Sequence, residues 1–280
     1  MKKGINIWSY PGDLSISECM AIAKDAGFEG IELSLNENGP LSLASNKAEI
    51  EGVRKTAEDT GIALTSLASG LYWDYALTSG KKEIREKAQD IVKKQLETAA
   101  ILGVDTILVI PGAVGVDFIP GSEVVPYDRA YDFALEAISK LSKEAEAIGV
   151  PIGIENVWNK FLLSPLEMRD FLDKVGSEYV GSYFDVGNVL YSGYPEHWIK
   201  ILNKRIKKVH FKDYRRESGG LSGFVDLLAG DVNYPEVIKA LNEIGYDDFV
   251  IGEMIPPYKH HSKQIIYNTS ASMSAILGRN

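Results

Sequence analysis

Short apolar runs alternate with longer amphipathic segments from one end of the chain to the other. The apolar runs have the length of β-strands, and residues 106–110 are apolar on both faces, as in a parallel strand covered on both sides. The longer segments carry apolar residues three and four positions apart, and in Tyr127–Ile148 this spacing predicts a helix with one buried face. The predicted strands are residues 4–8, 30–35, 63–68, 106–110, 152–156, 181–185, 207–211 and 249–254.

Glycines mark the junctions between these elements. Each of five glycines follows a helical segment and precedes a strand; they are Gly27, Gly61, Gly103, Gly149 and Gly245. Glycine adopts the left-handed backbone conformation at little cost and therefore often ends a helix. The glycines thus support a regular alternation of helix and strand.

The repeated pattern predicts a (β/α)8 TIM barrel. Eight strand–helix units joined by right-handed crossovers close into such a barrel. The alternative is an open, doubly wound sheet, which would need a glycine-rich phosphate loop after the first strand; residues 9–13 do not form one. No linker rich in proline and serine divides the chain, so we expect one catalytic domain over residues 1–280.

Charge and composition exclude several classes of protein. The 280 residues carry a net charge of −9, which opposes nucleic-acid binding because that function needs a basic surface. The single cysteine, Cys19, allows no intrachain disulfide and fits a reducing compartment. No apolar run approaches the roughly 20 residues that cross a bilayer, and the first residues lack a signal-peptide pattern. We therefore expect a cytoplasmic protein without a nucleic-acid or membrane partner.

Four consecutive predicted strands end in residues that bind metal ions. These residues are Glu155, Asp185, His210 and Glu253. One acidic residue at a strand end is usually a helix cap or a surface charge. Four such residues at matching ends of barrel strands would converge, and adjacent carboxylates without a cation would repel one another. Three carboxylates and one imidazole favour Mn²⁺, Mg²⁺ or Co²⁺ over the ligand sets of structural Zn²⁺ or of copper.

The same strand ends resemble the motifs of a known family. The matching segments are Ile-Glu-Asn at 154–156, Phe-Asp-Val-Gly-Asn at 184–188, Val-His-Phe-Lys-Asp at 209–213 and Gly-Glu-Met at 252–254. In this order they resemble the xylose isomerase-like barrel superfamily, and within it the sugar phosphate isomerase/epimerase branch. That branch includes the D-tagatose and D-psicose 3-epimerases and the L-ribulose and L-xylulose 5-phosphate 3-epimerases.

The resemblance implies a chemistry for the four residues. They would bind one divalent metal ion, most often Mn²⁺, with Mg²⁺, Co²⁺ or Zn²⁺ as alternatives. Glu155 and Glu253 would lie on opposite faces of a bound ketose; one would remove the proton next to the carbonyl and the other would return a proton to the far face of an enediolate. Two opposed acids favour an epimerase over an aldose–ketose isomerase. The resemblance also implies a sugar or sugar phosphate as the small-molecule partner and a homodimer or homotetramer.

Further residues are candidates for substrate binding. The resemblance places a substrate-contacting arginine at Arg216, with Arg215 as the competing candidate and a solvated loop as the alternative role. Asn188 stands where the ketose 3-epimerases often have a substrate-binding histidine. Trp158 is a candidate wall of the sugar pocket, although burial against a neighbouring helix would explain it equally. Glu32, in the second predicted strand, is expected to hydrogen-bond His210 or to touch the sugar.

A local basic cluster suggests a phosphate site. Lys212, Arg215 and Arg216 precede the glycine-rich segment 218–223, which follows the seventh predicted strand, where many barrels bind phosphate. A phosphorylated sugar would use these cations; the alternative is a flexible loop without a ligand.

Three competing functions remain at this point. A metal-dependent dehydratase of a keto-polyol or inosose would use the same proton abstraction, but its product would lack one water. An abasic-site endonuclease shares the barrel but needs several histidines at strand ends, whereas only His210 lies at one here. A sugar-binding barrel without catalysis would not need two opposed glutamates beside a metal.

Overall fold

Eight parallel strands close into a barrel in the computed structural model, which describes residues 1–255 and 258–279. The order around the barrel is β1-β10-β7-β6-β5-β4-β3-β2, and β8 and β9 form a separate antiparallel pair. This confirms the predicted (β/α)8 barrel. The strands are β1 Lys2–Asn6, β2 Gly30–Ser34, β3 Ala63–Ala68, β4 Ile107–Val109, β5 Ile152–Glu155, β6 Val180–Asp185, β7 Ile206–Phe211, β8 Asp213–Tyr214, β9 Phe224–Val225 and β10 Phe249–Gly252.

Helices follow the barrel strands along the chain. The five junction glycines all have positive φ, between 69° and 82°, so each takes the left-handed conformation for which the sequence analysis assigned it. The predicted helix Tyr127–Ile148 is found with these bounds. The helices are α1 Ile16–Asp25, α2 Lys47–Thr60, α3 Lys82–Leu102, α4 Tyr127–Ile148, α5 Pro165–Val175, α6 Pro195–Leu202, α7 Tyr234–Glu243 and α8 Gln264–Ile276. In the described part of the chain, none is long and apolar enough to cross a membrane.

The first and last barrel strands end earlier than predicted. β1 ends at Asn6, whose side chain accepts a hydrogen bond from the Trp8 amide and starts a 3₁₀ turn. The last barrel strand, β10, ends at Gly252, so Glu253 is the first residue beyond it. These strands pair with each other from Lys2 and Phe249 onward. The ends of β1 and β10 are therefore set by backbone pairing, which the pattern of apolar residues does not show.

The side chains of β7 alternate between the barrel interior and the helix layer. Phe211 packs outward against Tyr234 of α7, with ring centroids 5.1 Å apart. Because neighbouring strand residues point to opposite faces, Lys208, His210 and Lys212 share the other side. His210 pairs with Asp185 of β6 in the parallel ladder. This register places His210 and Asp185, two of the candidate metal ligands, beside each other at one end of the barrel.

A buried carboxylate organises the loop that follows β7. Asp213 accepts hydrogen bonds from four backbone amides, and these contacts fold residues 213–232 into a compact segment that includes β8 and β9. Gly230 fits because a Cβ there would lie 2.2 Å from Asp213 Oδ1. The segment begins two residues after the end of β7, the strand that carries His210.

Candidate metal centre

The structure brings the four strand-end residues into one cluster. One ligand-type atom from each of Glu155, Asp185, His210 and Glu253 lies within 4.8 Å of the others, and all four residues are buried. Glu155, Asp185 and His210 belong to the adjacent strands β5, β6 and β7, and Glu253 directly follows β10. Matching C-terminal ends of parallel strands produce this convergence.

The two ring nitrogens of His210 face different partners. Nδ1 lies 3.2 Å from Glu253 Oε2, 3.3 Å from Glu155 Oε1 and 3.8 Å from Asp185 Oδ2. Nε2 lies 2.7 Å from Glu32 Oε1 on the other side of the ring. If Nε2 carries the proton and donates it to Glu32, Nδ1 has a lone pair directed at the three carboxylates.

Glu32 is fully buried and saturated with hydrogen bonds. Its Oε1 accepts from Asn6 at 2.5 Å as well as from His210, and its Oε2 accepts from Ser66 at 2.7 Å and from the Tyr183 hydroxyl. Burial alone would raise the pKa of the Glu32 carboxyl, but His210 and the hydroxyl donors outweigh it and hold that pKa below its usual value. Of the two roles expected for Glu32, the structure has the hydrogen bond to His210.

Two asparagines hold Asp185 in place. The Asn156 amide donates to the Asp185 carbonyl at 2.8 Å and accepts from the Asp185 amide at 2.9 Å. The Asn188 backbone amide donates to Asp185 Oδ1 at 2.7 Å, and its side chain donates to the Asn156 carbonyl at 3.0 Å. Asn188 therefore supports Asp185, and its predicted contact with substrate stays a prediction.

The two glutamates of the cluster have different electrostatic environments. Burial raises the pKa of Glu155 to about 7, and the nearby Glu253 charge adds to this, while His210 opposes it. Burial acts in the same direction on Glu253, but Lys212 and His210 outweigh it and lower its pKa to about 2. The structure therefore makes the two carboxyls unequal, although they share one site.

The chemistry of the cluster fits a divalent cation. Asp185 Oδ2 and Glu253 Oε2 are buried without a hydrogen bond of good geometry, and the lysine beside them, Lys212, brings one positive charge against three carboxylates. Buried carboxylates in such excess are costly unless a further cation lies among them. Glu155 Oε1 and His210 Nδ1 face the same space. Three oxygen donors and one nitrogen donor suit Mn²⁺, Mg²⁺ or Co²⁺.

The predicted basic cluster is divided among different partners. Lys212 reaches into the metal centre, where its Nζ lies 2.6 Å from Glu253 Oε2 and 3.4 Å from Asp185 Oδ2. Arg215 donates to the Ala229 carbonyl, and its side chain is exposed. Arg216 is also exposed; it donates to the carbonyls of residues 190 and 193 and lies over the Tyr194 ring. The roles of Lys212 and Arg216 in substrate binding stay predictions.

Trp158 belongs to an aromatic cluster built by three loops. Its ring centroid lies 5.2 Å from that of Phe224, 5.4 Å from that of Tyr214 and 5.9 Å from that of Tyr191. Its indole N–H donates to the Asn188 carbonyl at 2.8 Å. Lys212 Nζ lies 5.5 Å from the Phe224 centroid, so this cluster adjoins the metal centre. The predicted contact of Trp158 with a sugar stays a prediction.

Several residues that support the site were not predicted from the sequence. Asn156 could have been noticed because it directly follows a strand-end glutamate. Asp213 has a similar signal, since it lies three residues after His210 in a quoted motif. Ser66 and Tyr183 carry no such signal, because a hydroxyl inside an apolar strand shows its partner only after folding.

The closed barrel and the buried cluster of carboxylates and imidazole define a TIM barrel with a candidate metal centre at its C-terminal end. The chain belongs to the xylose isomerase-like TIM barrel family, whose model matches residues 20–271.

Similar proteins include sugar epimerases. A protein of Escherichia coli K12, SgbU, named for a proposed L-ribulose-5-phosphate 3-epimerase activity, is 26% identical over 86% of this chain and 84% of its own length. The D-psicose 3-epimerase of Agrobacterium fabrum is 25% identical over 90% of this chain and 84% of its own. A crystal structure of a D-psicose 3-epimerase with D-tagatose from Clostridium cellulolyticum H10 superposes with a TM-score of 0.80, with 18% identity and 99% coverage of both chains. That structural likeness supports the fold.

Proposed function

We propose that this protein is an isomerase: a metal-dependent epimerase that inverts a carbon next to the carbonyl of a ketose or ketose phosphate. The observation that carries the proposal is that two buried glutamates, Glu155 and Glu253, are among the four candidate cation ligands of one cluster. The relatives named for sugar epimerase activities support the same class.

Proton transfer is the step for which the chain itself supplies the groups. One of Glu155 and Glu253 accepts the proton from the carbon next to the carbonyl, and the other delivers a proton to the opposite face. Glu155, Asp185, His210 and Glu253 would hold a divalent ion, which would polarise the substrate carbonyl and stabilise the negative charge that develops on its oxygen. His210 stays oriented through Glu32, and Asp185 stays oriented through Asn156 and Asn188.

Mn²⁺ is the metal ion that we propose. The donor set of three carboxylates and one imidazole accepts Mn²⁺ and also suits Mg²⁺ and Co²⁺. Elemental mass spectrometry on the purified protein and on the His210→Ala variant tests this. About one ion per chain in the wild-type protein, lost in the variant, is expected; a wild-type protein that takes up no ion when Mn²⁺ is added would contradict it.

The substrate class includes both free ketoses and ketose phosphates. The relatives support both, since one is named for a sugar phosphate and another for a free sugar. A panel of ketoses and their phosphates, incubated with the protein and Mn²⁺ in deuterated water, identifies the substrate by NMR. The expected product is a diastereomer with one deuterium on the inverted carbon.

Other results of the same assay would overturn the proposal. A product that has lost one water would identify a dehydratase. An aldose formed from the ketose would identify an aldose–ketose isomerase. Binding of sugars without exchange of any carbon-bound proton would indicate a binding protein.

A further inference from the structure

Lys212 is placed against the oxygens that the proposed metal ion would use. Its ammonium contacts Glu253 Oε2 at 2.6 Å and Asp185 Oδ2 at 3.4 Å, and these are the two buried oxygens of the cluster without a hydrogen bond of good geometry. The carboxylates are almost completely buried, with exposed fractions of 0% for the Asp185 side chain and 4% for that of Glu253. A lysine and a divalent ion therefore have the same two acceptors.

The backbone around Lys212 keeps the side chain at this position. A Cβ on Gly187 would lie 2.4 Å from Lys212 Cβ, so only glycine at 187 allows the two loops to approach this closely. The Lys212 carbonyl accepts a hydrogen bond from the buried Tyr234 hydroxyl at 2.9 Å. The next residue, Asp213, is held by four backbone amides. These contacts fix the start of the side chain from three directions.

The charges of the site indicate when Lys212 stabilises the cluster most. The carboxylates of Glu155, Asp185 and Glu253 together carry three negative charges when ionised, and a divalent ion leaves one of them uncompensated. A single positive charge is attracted more strongly to three negative charges than to one. Lys212 therefore stabilises the cluster more when no divalent ion is bound than when one is bound.

We propose that Lys212 is a resident counter-charge that competes with the divalent ion for Glu253 and Asp185. In this role it stabilises the metal-free protein and lowers the affinity for the metal ion. The inference rests on the proposed metal centre, and it assigns to Lys212 a function in controlling metal occupancy. A lysine that only supported the local structure would act differently, because its loss would lower stability and metal affinity together.

Two measurements on the Lys212→Met variant test the inference. Methionine keeps much of the length of the side chain and removes the charge. Calorimetric titration with MnCl₂ is expected to show a Kd at least roughly tenfold lower than that of the wild-type protein, because a repulsive charge within about 5 Å of the ion is removed. Thermal denaturation in EDTA is expected to show a lower Tm than for wild type. The affinity for Mn²⁺ should therefore rise while the stability of the metal-free protein falls.

Matched variants separate the local effect from a general loss of charge. Lys239→Met removes an exposed lysine of α7 that pairs with Glu236, and it should leave both measurements unchanged. Lys212→Arg keeps the positive charge and should keep the Mn²⁺ affinity closer to wild type than Lys212→Met does. If Lys212→Met does not fold, Lys212→Gln, which is also neutral but polar, is expected to show the same opposite shifts.

The outcomes distinguish this inference from the proposed function. If wild type binds Mn²⁺ and the neutral variants bind it equally or more weakly, the counter-charge role is wrong and the metal centre stands. If wild type does not bind Mn²⁺, the proposed function fails and the inference fails with it. Neutral variants that bind more tightly but lose no stability in EDTA also overturn the role.

Discussion

Each end of the barrel has a lysine that lies between two carboxylates. One lysine is in β7 and the other directly follows it, and the two pairs of carboxylates differ in their exposure to solvent. At the N-terminal end, Lys208 contacts Asp105, with Nζ 2.8 Å from Oδ1, and also contacts Asp248. At the C-terminal end, Lys212 contacts Asp185 and Glu253. The two lysines lie on the same side of the strand, four residues apart.

Solvent access separates the two clusters. The side chains of Asp105 and Asp248 are 67% and 37% exposed, so water stabilises their charges without further help. The acids at the C-terminal end are almost fully buried, and two of their oxygens lack hydrogen bonds. We expect the N-terminal cluster, whose acids reach solvent, to contribute to stability only. At the C-terminal end the buried carboxylates outnumber the cations, so their negative charge needs a bound cation.

Between the two clusters lies a polar layer inside the barrel. Glu32, Tyr183, Ser66 and Asn6 are hydrogen-bonded to one another, and Glu32 connects them to His210. This layer contacts the C-terminal cluster through His210, which is a candidate metal ligand. We therefore expect variants of the layer to change metal binding and variants of the N-terminal cluster to change stability alone.

The largest effect is expected from Glu253→Gln. The amide keeps the shape of the side chain but can neither accept nor deliver a proton, so turnover should fall by about 10²- to 10⁴-fold. Rates measured at saturating Mn²⁺ on the substrate found in deuterated water test this. The control at the other end, Asp248→Asn, should keep wild-type turnover. Wild-type turnover in Glu253→Gln would exclude a catalytic role for this glutamate.

A smaller effect is expected from Glu32→Gln. The variant replaces the carboxylate that accepts a hydrogen bond from His210 Nε2, so the imidazole is less well oriented. The Mn²⁺ affinity should therefore fall by roughly 10- to 100-fold. Calorimetric titration measures it, with Asp105→Asn as the control that should bind as wild type does. Equal affinity in Glu32→Gln and wild type would mean that Glu32 does not position His210.

Metal removal should separate the two ends by stability. Mn²⁺ at 100 times its Kd is expected to stabilise the wild-type protein by about 2.7 kcal/mol relative to a sample in EDTA. Urea denaturation of both samples measures this difference. The Lys208→Met variant should show the same difference, since distant sites act additively. A clearly smaller gain in that variant would show that the two ends are coupled.

The smallest effect is expected from Lys208→Met itself. Its two aspartates are partly exposed and can be hydrated after the lysine is removed, so the free energy of unfolding should fall by only about 1–2 kcal/mol. Urea denaturation in EDTA gives this value, and Mn²⁺ titration gives the matched functional readout. Loss of Mn²⁺ binding in this variant would contradict the assignment of the N-terminal cluster to stability.

Much of the fold was predictable because its signals are local. The junction glycines and the helix Tyr127–Ile148 show themselves within a few turns of chain, and both predictions are confirmed. The strand pair β8 and β9 was not predicted, because strands of two residues carry no periodicity. Asp213 builds that segment through amides up to 19 residues away, which a local pattern does not show.

The basic residues after β7 are neighbours in the sequence, but the fold gives them different partners. Lys212, Arg215 and Arg216 are close along the chain, and the sequence left open whether they form one phosphate-binding cluster or belong to a flexible loop without a ligand. Lys212 continues the alternation of His210 and faces the carboxylates, while the two arginines lie beyond the turn at Asp213 and bind separate carbonyls. The alternation of side chains along β7 could have predicted that Lys212 points to the same side as His210. It could not predict where the two arginines point, because they lie beyond the strand.

The sequence by itself determined the order of strands and helices and the type of residue at each strand end, because apolar periodicity and helix-ending glycines depend on neighbours in the chain. Only the tertiary structure decided that Glu32 bonds His210 across 178 residues, and that two buried carboxylate oxygens have Lys212 as their nearest cation. Hydrogen bonding and charge balance depend on groups that are distant in sequence and meet only when the barrel closes.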